Sequence, residues 1–163
     1  MYSELDEGYV RRAIALAAQA EAGGDVPVGA VLVCGDAVIE AKNERELRAD
    51  PTAHAEMLAI GEASRRVGAW RLADATLYVT KEPCVMCAGA IVAARIARVV
   101  YGASDPKGGA GGSVIDVFGS SAVHHRVQVI AGVLEQETSR QLRDFFVERR
   151  RHRAQTTERW SSG

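Results

Sequence analysis

Three residues able to ligate a metal and one carboxylate stand in two short runs of this chain: His54-Ala55-Glu56 and, after a gap, Pro83-Cys84-Val85-Met86-Cys87. One imidazole and two thiolates form a three-ligand zinc set, which leaves a coordination position open for water as catalytic zinc sites do. Glu56, two residues past the histidine, is too close to it to be an easy fourth ligand. It is well placed to handle the proton of a metal-activated water. The chemistry these residue types suit is hydrolysis.

The spacing says which elements must position them. Pro83 fixes a backbone angle suited to the first turn of a helix, so Cys84 and Cys87 are expected three apart on one face near a helix N-terminus. That end of a helix favours negative charge and helps keep both sulfurs as thiolates. Thr52, followed by Ala55-Glu56-Met57 and the apolar Leu58 and Ile60, reads as the cap of a second helix carrying His54 and Glu56 at its start. Two helix starts are thereby expected to converge on one metal ion. Two other readings use the same cysteines: a Cys-x-x-Cys redox pair, or a closed Cys3His structural zinc with Cys34 as fourth ligand. Cys34, however, ends the apolar run Val28-Gly29-Ala30-Val31-Leu32-Val33, which reads as a buried strand. A free cysteine there behaves as a small core hydrophobe.

At 163 residues, with no composition shift or Pro/Ser-rich stretch, the chain reads as one domain over 1–154 with its own core, followed by a loose tail at 155–163. Leu5, Tyr9, Ala13 and Ala17, spaced at four, mark an amphipathic first helix rather than a signal peptide or a membrane span. With three cysteines, two of them needed reduced for metal, a disulfide framework is not expected and a reducing cytoplasm is. The element order reads helix, two strands, helix, strand, helix, strand, a Gly-rich loop, a strand and a final helix. Gly35-Asp36 is the turn of the first hairpin, and the later strands near Leu77, Val99 and Val127 alternate with helices. The expected fold is a three-layer α/β/α sandwich with a mixed sheet.

His-Ala-Glu with Pro-Cys-x-x-Cys is the signature of zinc-dependent nucleobase deaminases. The likeness extends well beyond it. Val26-Pro27-Val28-Gly29-Ala30-Val31-Leu32-Val33, Asp50 to Glu56, Ala75 to Thr80, Glu82 to Gly89 and Arg98 to Ala103 all resemble the bacterial tRNA-specific adenosine deaminases, over a span reaching from the first helix to about Arg151. The resemblance implies a cytidine-deaminase-like fold with a five-stranded sheet and one zinc ion per subunit. It implies a homodimer acting on a tRNA anticodon stem-loop, and hydrolytic deamination of the wobble adenosine, usually of arginine tRNA, to inosine. Glu56 would shuttle the protons, and the target nucleotide would be splayed out to enter the pocket.

It also implies substrate contacts at Val28, Asn43, Ala55, Asp105 and Lys107. Without it, Asn43 reads as a turn asparagine bonding its own backbone, and Asp105 to Ser113 as a flexible Gly-rich turn. Three positions depart from the family pattern: Asp25 for a glutamate, Lys42 for a bulkier aromatic and His124 for an asparagine. They leave the chemistry alone and bear on tRNA choice.

The net charge of −1 argues at first against nucleic acid, but its distribution does not. Between Arg140 and Arg159, seven arginines face three acids, a local excess of four positive charges. Arg149, Arg150, Arg151 and Arg153 are the candidates for gripping an RNA backbone. The plain alternative is a solvated helix end whose cations complement the helix dipole. Phe145 and Phe146 interrupt the charges and are expected to pack on the core, one or both. Two further readings of the whole remain: a deaminase of free guanine, cytosine or cytidine, and a non-catalytic RNA-binding module with structural zinc. Intact Glu56 speaks against the second.

Overall fold

The computed structural model describes the backbone of residues 1–161, and side chains as far as Gln155. Ten elements follow the expected order with one short helix added: α1 (Glu4–Ala22), β1 (Gly29–Cys34), β2 (Ala37–Lys42), α2 (Arg45–Arg48), α3 (Ala55–Val67), β3 (Thr76–Lys81), α4 (Val85–Ala93), β4 (Arg98–Ala103), β5 (Gln128–Ile130) and α5 (Glu135–Ser161). The strands form one mixed sheet in the order β2-β1-β3-β4-β5. β1 pairs antiparallel with both β2 and β3, placing Leu32 beside Ile39 and Leu77. β3, β4 and β5 run parallel, placing Tyr78 beside Val100 and Val100 beside Ile130. Gly35, at φ +57°, supplies the left-handed turn between β1 and β2.

Alternation along the strands makes two apolar layers. Ala30, Leu32, Leu77, Val79, Val99 and Tyr101 share one core with Ala55, Ala59 and Ala63 of α3 and Ala88 and Ile91 of α4. Their neighbours Val31, Tyr78 and Val100 face the other way, onto Val10, Ala13 and Leu16 of α1. α1 lies directly on β1: a Cβ at Gly29 would run into the Ala13 carbonyl and the Ala17 nitrogen. α5 packs on β4 and β3 and is tied to α1 by a bond from Gln141 Nε2 to the Ile14 carbonyl, 3.2 Å. The result is the expected three-layer sandwich.

Three local expectations need correction. The buried face of α1 is Asp6, Val10, Ala13, Leu16, Ala17 and Ala20, and Leu5 is 64% exposed. A strict spacing of four drifts roughly 40° round a 3.6-residue helix at each step, so Leu5 and Ala17 do not share one stripe. An ion pair fixes the phase instead. Asp6, 2% exposed, accepts from Arg98 Nη1 and Nη2 of β4 at 2.6 and 2.8 Å, and from the Ser3 amide and hydroxyl at 2.8 and 2.9 Å. The Arg98 bonds hold its carboxyl well below the usual carboxylate range, against the cost of burial. The second correction concerns the tail: α5 stays helical to Ser161, since no Pro or Gly interrupts 155–161. Residues 162 and 163 lie outside the described residues. The third concerns Thr52 and belongs to the site.

Candidate active site

α3 and α4 begin side by side, and each starts on a metal-ligand candidate. His54 is the N-cap of α3 and Cys84 the N-cap of α4, both with extended backbone. Cys87 follows in the first turn of α4, whose N-terminal dipole favours the thiolates. Pro83 stands just before the cap rather than within the first turn. The ligand atoms of His54, Cys84 and Cys87 lie within 4.8 Å of one another, with His54 Nδ1 at 3.8 Å from Cys84 Sγ and 3.6 Å from Cys87 Sγ. Cys34 is not in this cluster: at the end of β1 it packs, partly buried, against the core. Among the described residues the closed four-ligand site therefore has no fourth ligand, and the hydrophobe reading of Cys34 holds.

Neither N-cap side chain bonds the helix it starts, because both are turned to the cluster. For α3 the missing cap comes from afar: Asn43 Oδ1 accepts from the Ala55 N–H at 2.9 Å. Thr52, the cap expected from sequence, instead bonds Asp50 Oδ1 through its amide and hydroxyl at 2.8 and 2.7 Å. Asn43 is thus no turn asparagine bonding its own backbone.

The electrostatics suit a cation. The bond from the Cys87 thiol, then the one from His54, holds Cys84 near 3 against the pull of burial. Cys87 is pushed far up by the Cys84 thiolate, by burial and by Glu56, and His54 is raised chiefly by its bond to Cys84. A metal ion held by these three side chains would take the place of the shared protons. Glu56 is 4% exposed, and burial raises its carboxyl above the ordinary range. Its Oε2 is buried with no hydrogen-bond partner among the described residues. An orphaned carboxylate oxygen beside an N/S/S donor set fits a zinc centre with a water between them.

His54, Cys84 and Glu56 line a cavity of about 350 Å³, at the lower end of the ~300–1,000 Å³ typical of ligand sites, with Cys87 buried behind them. Of the sequence-derived candidates, Val28, Asn43, His54, Glu56, Cys84 and Arg149 line it. Ala55 is fully buried behind it. Asp105 sits behind the wall, where it pairs with Lys81 Nζ at 2.5 Å, and Lys107 is exposed, its amide bonded to Asp105 Oδ1 at 3.0 Å. Arg150, Arg151 and Arg153 lie farther along the exposed side of α5, with Arg151 at 3.8 Å from Glu148.

Five further lining residues escaped the sequence reading of the site: Val26, Arg45, Lys81, Glu82 and Phe146. Val26 and Glu82 do lie in segments that carry the family likeness. Phe145 is 8% exposed, as expected of a packed aromatic, whereas Phe146 is 41% exposed at the cavity rim. Asp25 does not reach the cavity. It accepts from the Glu46 amide at 2.9 Å and pairs with Arg45 at 3.4 Å, so it steadies an arginine that does. Lys42 pairs with Glu44 at 3.7 Å, and His124 is exposed.

A model of the MafB19-like deaminases matches residues 5–150. The tRNA-specific adenosine deaminase of Bacillus subtilis is 49% identical over 147 residues, covering 90% of this chain and 91% of that protein. The tRNA-specific adenosine deaminase of Haemophilus influenzae is 47% identical over 150 residues, 91% of this chain and 87% of that one. A structure solved in studies of A-to-I editing by tRNA:A34 deaminases at the wobble position of transfer RNA matches with a TM-score of 0.80 and 43% identity, covering 83% of this chain and 99% of that chain. The mixed five-stranded sheet is the cytidine-deaminase-like architecture expected. The shared fold, the near-complete cover and the N/S/S cluster beside a buried glutamate agree: the chain belongs to the tRNA-specific adenosine deaminases, within the MafB19-like deaminase family.

Proposed function

We propose that this protein hydrolyses adenosine to inosine at the wobble position of a tRNA anticodon, with arginine tRNA as substrate and one zinc ion per subunit. The observation that carries the reading is the convergence of His54, Cys84 and Cys87 on one point of the cavity beside the unpartnered Oε2 of Glu56. Zinc, when bound by those three side chains, supplies a Lewis acid that makes water a nucleophile near neutral pH.

Glu56 performs the proton work. Its Oε2 takes a proton from the attacking water and passes it to the ring nitrogen next to the carbon under attack; it then takes the remaining proton from the hydroxyl now on that carbon and delivers it to the exocyclic amine, which leaves as ammonia. A carboxylate whose affinity for protons is raised by burial suits a group that must both accept and release them. Asn43 and Val28 orient the base from the cavity wall. The cavity admits one flipped nucleotide, and the loop from Asp105 to Ser113 and the arginines of α5 hold the flanking strand outside it. Arg149, at the cavity itself, is the first of these, with Arg150, Arg151 and Arg153 meeting phosphates farther along.

The reading includes a homodimer and a reducing, cytoplasmic setting that keeps both thiols free. No helix of the described residues is long and apolar enough to cross a membrane. The test is incubation of zinc-loaded protein with anticodon stem-loops of arginine and other tRNAs carrying a wobble adenosine, read by sequencing for inosine, with light scattering for the dimer. Turnover of free guanine, cytosine or cytidine without any of RNA would overturn it.

A further inference from the structure

One buried carboxylate plays no part in the proton chemistry. Glu82, 2% exposed, follows β3 and precedes the Pro83-Cys84 turn. Its two oxygens gather four donors, all from the loop between Asp105 and Ser113. Oε2 accepts from the Asp105 amide at 2.8 Å and the Ser113 hydroxyl at 2.5 Å, and Oε1 from the amides of Gly111 and Ser113 at 2.9 and 3.0 Å. The loop glycines make this approach possible. A Cβ at Gly109 would overlap the Glu82 carboxylate, and one at Gly111 would stand 3.3 Å from Glu82 Cγ. The same loop touches the metal-ligand turn through a bridge between Cys84 and Gly109 and a bond from the Ala110 amide to the Pro83 carbonyl, 2.8 Å.

We infer that Glu82 is a positioning residue: its carboxylate sets the 105–113 loop against the turn carrying Cys84, and so fixes the surface that meets the substrate strand beside the cavity. All four partners are donors, so the hub requires an acceptor at both oxygens. A glutamine of the same shape must turn its NH2 toward one pair or the other, and either orientation sets donor against donor. The loop is therefore latched by the charge and not by the shape of residue 82. Asp105 is one of the latched residues and pairs with Lys81 of the cavity wall, so the latch also sets where that cation stands.

The inference rests on the deaminase reading only for its kinetic consequence, and the test separates the two. Zinc-loaded wild type, E82Q and S113A are compared by amide hydrogen exchange, zinc content and kinetics on a wobble-adenosine stem-loop. E82Q is expected to speed exchange at Asp105, Gly111 and Ser113 by about ten-fold or more, the worth of a charge-assisted hydrogen bond. KM should rise by a similar factor with kcat within about three-fold, since strand grip and not chemistry is lost. Zinc should stay at about one per chain. S113A, which keeps the three amide bonds, should show the same pattern more weakly.

Unchanged exchange and unchanged KM in both variants would overturn the inference. So would a fall in zinc, or in kcat, at constant KM, because Glu82 would then be serving the metal turn alone. Should E82Q fail to fold, S113A and G109A carry the same measurement. If the wild type makes no inosine from the stem-loop, the deaminase reading fails, and the exchange rates still decide whether Glu82 latches the loop.

Discussion

Asp6→Asn isolates what the fold contributes apart from the site. The pair Asp6–Arg98 ties α1 to β4 on the face of the sheet opposite α3 and α4, and neither residue lines the cavity. Removing one partner of a buried pair costs ~3–5 kcal/mol because the other is left uncompensated. The Arg98 side chain is 23% exposed, so water recovers part of that loss and the lower end, about 3 kcal/mol, applies. For a domain of this size each kcal/mol moves Tm by ~2–4 °C, which gives a drop of about 6–12 °C at pH 7.

The pH dependence follows from the direction of the shift. The folded carboxyl is held below its ordinary value, so the unfolded chain takes up the proton first as pH falls. The stability Asp6 confers is fully present above its unfolded pKa of about 3.9 and is lost as pH falls toward the folded value. Thermal melts of chelator-treated wild type and D6N from pH 7 to pH 3, with metal absent from both, should show the gap in Tm narrowing below about pH 4. Turnover at 25 °C should be unaffected. A gap that stays constant down to pH 3, or no gap at pH 7, would refute the reasoning.

Cys84→Ser and Cys87→Ser should each lower bound zinc and activity together, measured by elemental analysis and inosine yield, while Cys34→Ser keeps its zinc and loses only a little packing stability. Asn43→Ala removes the acceptor for the first amide of α3 and should cost ~1 kcal/mol or more in denaturant melts as well as activity; Asn43→Asp retains that acceptor and should lose mainly activity. Replacing Arg149, Arg150, Arg151 and Arg153 by alanine should weaken tRNA binding and flatten its salt dependence by roughly 0.7–0.9 in log-log slope per lost phosphate contact, with saturated turnover changing little. An unchanged slope would leave those arginines a solvated helix end.

What sequence reveals here is what sits close together along the chain. The candidate metal set was legible because His54, Cys84 and Cys87 stand in two short runs that each open a helix, and Glu56 because it shares a turn with His54. The hairpin at Gly35 and the alternation of strands and helices were legible for the same reason. The Asn43 cap, the Glu82 hub and the Arg45 and Lys81 side chains of the cavity wall depend on residues 12 to 31 positions apart meeting in space, which no local pattern encodes. Thr52 lost its capping role to such a partner. Spacing placed the face of α1 within one turn, but its phase was decided by an arginine on β4, 92 residues away.

Wild type and Glu56→Gln compared on the same stem-loop, in water enriched in heavy oxygen, test the central claim most directly. Wild type should form inosine at the wobble position, carrying one oxygen atom from solvent, and release one ammonia for each. Glu56→Gln should fold and hold its zinc yet turn over slower by about 10²–10⁴-fold or more, because general acid-base catalysis alone is worth that much and this carboxylate serves several proton transfers. A Glu56→Gln protein with near wild-type turnover, or inosine without solvent oxygen, would contradict the account.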